Sequence, residues 1–146
     1  MFLNKTTLFL GACAAVLLSG CGAKGEQFKG FQNPSANNAM VYVYRPSKGV
    51  GGGVHYNAYA NDGVADKLIG DIKNGGYANA EVPANKEVEI WAKTESKASV
   101  TIDTQDGETY CIKAGVGMGF FVGRPKLEKV DRQTCEAEIV NIKLAE

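Results

Sequence analysis

Lys86-Glu87-Val88-Glu89-Ile90-Trp91-Ala92-Lys93 is the stretch that decides the fold. Val88, Ile90 and Ala92 fall on one face, and Glu87, Glu89 and Trp91 on the other. That period of two is what a half-buried strand requires; a helix would scatter the same apolar residues around its axis. Upstream, Pro83-Ala84-Asn85 forms a turn behind a strand-like run over 77–82. Asn74-Gly75-Gly76 closes residues 68–72, and Asn61-Asp62-Gly63 closes the alternation of 54–61. Val41-Tyr42-Val43-Tyr44 alternates β-branched and aromatic side chains and stops before Pro46. Downstream, residues 99–104 end at Asp106-Gly107, and 109–114, 119–123 and 126–130 complete the series. Short strands at this spacing, with no long helix between them, predict an all-β chain folded as an antiparallel β-sandwich.

The tail reads in two ways. Cys135, Ile139 and Ile142 stand at helical spacing with Asp131 available as N-cap, which predicts a short C-terminal helix. Ile139 and Val140 are β-branched, so a final strand over 137–144 is the alternative.

Residues 1–20 read as an export signal: Lys5 is the positive charge, residues 6–18 are apolar, and Ser19 and Gly20 lead into Cys21. The apolar stretch falls short of the roughly 20 residues of a transmembrane helix. Leu18-Ser19-Gly20-Cys21 resembles the lipobox of bacterial lipoproteins. The resemblance implies cleavage between Gly20 and Cys21, a thioether-linked diacylglyceryl group on the Cys21 sulfur, and acyl chains of the palmitate type. An ordinary secretory signal is the other reading; Cys13 is set aside because almost no apolar region precedes it. Gly22, in place of aspartate, resembles the sorting pattern of outer-membrane lipoproteins. The expected location is therefore the cell envelope, on the outer membrane facing the periplasm.

Residues 21–38 carry Gly, Lys, Gln, Asn, Ser and Ala with no period of 2 or 3.6, and are expected to be a flexible tether to a domain over 39–146. A tether of this length spans on the order of 20–25 Å. Phe28 and Phe31 are expected to dock on the domain edge, with the lipid surface as the other place for them.

Charge excludes some functions. The 16 basic and 16 acidic residues cancel, and removal of residues 1–20 leaves 15 and 16. No basic footprint for nucleic acid and no polybasic membrane patch is present. Cys111 and Cys135 are the remaining thiols of an exported domain and are expected to pair; the other reading is two small buried hydrophobes. They lack CxxC spacing and a nearby histidine, so no metal site is expected. His55, the sole histidine, lies in an alternating stretch without a GxSxG frame. Gly115-Val116-Gly117-Met118-Gly119 lacks both Rossmann and P-loop spacing and suits a bulge or close backbone packing, with a ligand lying against the bare strand face as the alternative. Tyr42, Tyr44, Trp91, Phe120 and Phe121 are candidates for an aromatic platform under a sugar, against their ordinary use as core and cross-strand pairs.

Four stretches resemble a family of bacterial envelope proteins, the domain of unknown function 2846. They are Val41-Tyr42-Val43-Tyr44-Arg45-Pro46, Leu68-Ile69-Gly70-Asp71-Ile72-Lys73-Asn74-Gly75-Gly76-Tyr77, Gly107-Glu108-Thr109-Tyr110 and Gly119-Phe120-Phe121-Val122-Gly123-Arg124-Pro125. This chain departs from that pattern at Pro83-Ala84-Asn85, where the family has Pro-Gly, and at Tyr110-Cys111, where it has two tyrosines. The resemblance implies a small sandwich in the style of transthyretin-like and PEGA modules, and transfers no catalytic residue and no cofactor. The expected function is a non-enzymatic, lipid-anchored interaction or structural module whose partner is an envelope protein or a cell-wall glycan. An envelope hydrolase using His55 with carboxylates is the alternative.

Overall fold

A computed structural model describes residues 22–145. The expectations for the signal segment, for Cys13 and for lipidation at Cys21 lie outside the described residues. The chain forms β1 (Asn38–Tyr44), β2 (Tyr56–Asn61), β3 (Asp66–Ile72), β4 (Gly76–Pro83), β5 (Glu87–Lys93), β6 (Lys97–Asp103), β7 (Thr109–Gly117), β8 (Arg124–Val130), α1 (Arg132–Ile139) and β9 (Lys143–Leu144). Two sheets, β8-β7-β1-β4-β9 and β3-β2-β5-β6, pack into a β-sandwich. The sandwich is not wholly antiparallel, since β1 runs parallel to β7 and β4 parallel to β9. The reversals follow from turn chemistry. Asp62 accepts from the N–H groups of Val64 and Ala65, while Gly63 and Gly75 take φ of 89° and 67°, where a Cβ would be strained.

The core between the sheets is built from Ala39, Val41, Val43, Ala58, Ile72, Val88, Ile90, Ala92, Ile102 and Ile112. Val88, Ile90 and Ala92 are fully buried there, on the face their alternation predicts. β1 departs from the half-buried pattern. Its other face, Met40, Tyr42 and Tyr44, is also buried, in a second core with Cys111, Cys135, Ile139 and Ile142. α1 lies over that face, capped by Asp131, whose carboxylate accepts from the Thr134 N–H at 2.7 Å. Cys111 on β7 and Cys135 on α1 are joined by a disulfide. Eight residues are too few for a helix to be stable alone, so packing and this bond hold it in place.

Two expectations need correction. Residues 119–123 are an exposed β7–β8 loop rather than a strand, because the Phe120 and Phe121 N–H groups go to the Glu95 carboxylate instead of a neighbouring backbone. Residues 22–38 are also no free tether. Ala23 N–H donates to Asn74 O, and Gly25 and Phe28 N–H donate to Leu144 and Ile142 carbonyls. Phe28 and Phe31 then sit edge-on to Tyr42 at 6.0 and 5.0 Å between centroids, and Phe28 meets Tyr77 at 5.5 Å. Gln32 N–H donates to the Tyr42 hydroxyl, and Ser35 donates twice to the Glu81 carboxylate. The polar composition that reads as a linker conceals two apolar anchors and a ladder of backbone bonds.

Candidate interaction surface

The strand directions gather the noteworthy loops at one end. β1 and β7 are parallel, so their C-termini lie together, and antiparallel β4 begins there. Arg45 links the sheets: its guanidinium donates to the Val54 and Gly51 carbonyls, which brings the start of β2 against the end of β1. β2 is antiparallel to β3 and β5, so the β3–β4 and β5–β6 turns join the same end. We refer to it as the loop end: residues 45–55, 73–75, 94–96 and 118–123.

A cavity of about 620 Å³ opens there, lined by Arg45, Lys48, Val50, Lys113, Val116, Lys126 and Glu128 among others. Ala114, Val116 and Leu127 line it from the inner face of the sheet with Arg45, whereas alternation sends the Lys113, Lys126 and Glu128 side chains to the other face. Lys113 is neutralised from outside by Glu138 at 2.7 Å. Arg45 is not paired with a carboxylate among the described residues; it is only 3% exposed and its charge rests on two carbonyls. Burial accordingly lowers its pKa from the ordinary arginine value, and the nearby Tyr56 acts the other way. The Tyr56 hydroxyl donates to Gly115 O at 2.7 Å, and burial pushes it up to about 12, so it stays a donor. Sequence reasoning missed Arg45. The available signal was parity: Ala39, Val41 and Val43 point inward, and Arg45 is the next residue in that series.

Beside the cavity stands the β7–β8 loop. The Glu95 carboxylate from the β5–β6 turn accepts from the Phe120 N–H, the Phe121 N–H at 2.9 Å and Arg124 Nε at 2.8 Å. These donors, the Phe121 N–H first, hold its pKa down at about 2. A Cβ on Gly119 would overlap the Val122 carbonyl and the Glu95 carboxylate, so the tight path needs glycine at that position. The frame presents Met118, Phe120 and Phe121 outward at 97%, 82% and 88% exposure.

The five aromatics expected as one platform are dispersed. Tyr42 and Tyr44 are buried under the N-terminal segment and α1, where the Tyr44 hydroxyl faces Glu138 without a close hydrogen bond among the described residues. Trp91 lies on the solvent face of the other sheet, stacked on Tyr59 at 4.6 Å, with Lys97 over its ring and Asp66 accepting its indole N–H. It is a cross-strand pair of the ordinary kind. Phe120 and Phe121 stay in ring contact, edge to face at 4.8 Å. The glycine run of β7 pairs with β8 in unbroken register from Cys111↔Val130 to Gly117↔Arg124. It contains no bulge, and the Lys126 stem lies over Gly117.

His55 precedes β2 with its ring mostly in solvent, and its Nδ1 lies 2.9 Å from Asp71 Oδ1. A carboxylate there can orient an imidazole, yet among the described residues no hydroxyl or thiol is hydrogen-bonded to the ring. Also among the described residues, no cluster of three metal-ligating side chains occurs and no helix is long and apolar enough to cross a membrane. Compared with family models and with curated proteins, the chain matches none.

Proposed function

We propose that this chain is a lipid-anchored protein of the bacterial cell envelope, held on the outer membrane toward the periplasm, whose sandwich binds a partner rather than transforming a substrate. The resemblance of Leu18-Ser19-Gly20-Cys21 to a lipobox, and of Gly22 to the outer-membrane sorting pattern, supports that placement. One observation carries the binding role: Arg45 is buried at the wall of the cavity with two carbonyls and, among the described residues, no carboxylate on its charge. A buried charge supported only by dipoles is costly unless an opposite charge completes it. A protein or cell-wall glycan presenting an acidic group supplies that charge. Lys113 and Glu128 lie four residues along their strands from the loop, so the cavity extends roughly 13 Å down the β7–β8 flank. Photo-crosslinking in intact cells from position 127, on the inner face of β8 at the cavity wall, tests the reading. A partner should be captured by the intact chain, lost with Lys48→Glu, and reduced with Cys21→Ser. Identical products from all three forms would refute it.

The second reading, a hydrolase built on His55, is favoured by the Asp71 hydrogen bond. Its test is hydrolysis of ester, peptide and glycan substrates by the purified chain. Turnover that disappears with His55→Ala would replace the first reading.

A further inference from the structure

The exposed apolar tip and the start of the described chain lie at the same end of the sandwich. Gly22 packs against the Asn74 carbonyl, and Ala23 N–H donates to that oxygen at 3.1 Å. Asn74 in turn binds the Lys48 N–H at 2.9 Å, within the loop that carries Val50. From Gly22 the segment runs along β9 and then across the second core to β1, bonded at both ends and in the middle. It therefore holds no slack. In the sequence Cys21 immediately precedes Gly22.

On the anchored reading, on which this inference rests, acyl chains on Cys21 enter the bilayer directly beneath the loop end. Val50, Met118, Phe120 and Phe121 share that end, and Val50 is 94% exposed. A soluble protein gains nothing by holding a phenylalanine pair and a methionine rigidly in water, and such patches mark contact surfaces. The loop is built for display, with three donors on Glu95 and a glycine path that excludes a Cβ. The β7–β8 loop and the β4–β9 edge are three strand spacings apart, roughly 14 Å at about 4.8 Å per strand.

We propose that the β7–β8 loop, with Met118, Phe120 and Phe121, inserts into the lipid surface beside the Cys21 anchor. Two contacts about 14 Å apart then fix the domain's tilt and hold the loop end against the headgroups. The β2–β3 turn at the opposite end, with Val64, faces away from the membrane. Each phenylalanine withdrawn from water adds roughly tenfold or more to partitioning, so the insertion is a second attachment as well as an orientation.

The test uses the full chain expressed with residues 1–20, purified from bacterial membranes and reconstituted in phosphatidylcholine vesicles with brominated acyl chains. Trp91→Phe removes the single native tryptophan. Phe120→Trp or Phe121→Trp then reports on the loop, and Val64→Trp on the opposite end. Both loop positions should lose most of their fluorescence on bromination, and position 64 none. A chain that floats with the vesicles while all three tryptophans stay bright keeps its anchor and overturns the inserted loop. Equal quenching at position 64 overturns the orientation. A chain that does not float, and whose Cys21 carries no lipid by mass spectrometry, overturns the anchored reading and the inference with it.

Discussion

Replacing both bridging cysteines, Cys111→Ala/Cys135→Ala, should lower the melting temperature by at least 13 °C or so. The bond spans a sequence separation of 24. Closing a loop of about 25 residues removes roughly 12 cal/mol/K from the unfolded chain, or about 3.5 kcal/mol at 25 °C. A folded region of about 124 residues unfolds with an entropy near 0.26 kcal/mol/K, so 3.5 kcal/mol corresponds to about 13 °C. Both cysteines are buried, and the lost sulfurs leave small voids that add roughly another 1 kcal/mol. Against a typical domain stability of about 5–15 kcal/mol the loss is large. Scanning calorimetry of the two proteins gives the shift. Hydrogen exchange locates it, because α1 should open without β1 once its covalent link to β7 is gone. A double variant melting within about 3 °C of the parent, or an α1 exchanging no faster than before, would show that packing alone holds the second core.

Glu95 supplies a pH prediction. Its folded pKa of about 2 lies below the ordinary 4.5, so its contribution is complete above 4.5 and is lost as pH falls toward 2. The Phe120 and Phe121 amide resonances should follow that titration; a midpoint near 4.5 would mean that the carboxylate does not hold the loop. Gly119→Ala forces the loop off the Val122 carbonyl and should cost about 1–3 kcal/mol in urea unfolding, whereas an unchanged midpoint would contradict the tight path. Arg45→Met leaves the Gly51 and Val54 carbonyls without their charged donor and should cost about 2–3 kcal/mol, with faster exchange confined to residues 45–55. Uniform destabilisation without that local signature would argue against the clamp.

The sequence alone determined the local structure: alternation placed Val88, Ile90 and Ala92 inward, turn residues set the reversals, and Asp131 announced the cap of α1. Two thiols in a chain whose first residues read as an export signal also pointed to the Cys111–Cys135 bond. Periodicity states which side chains avoid water, and does not state what covers them. Tyr42 and Tyr44 alternate with inward valines and so read as outward, yet α1 and the docked segment 22–38 bury them from the far side. Phe120 and Phe121 carry the side chains of a strand, and only Glu95, 25 and 26 residues away in the chain, turns their backbone into a loop. The parallel pairing of β1 with β7 is likewise a long-range choice, set by the packing of both sheets together. That pairing brings the β7–β8 loop to the end where Gly22 lies, so the tertiary structure alone decided which end of the sandwich adjoins the proposed anchor.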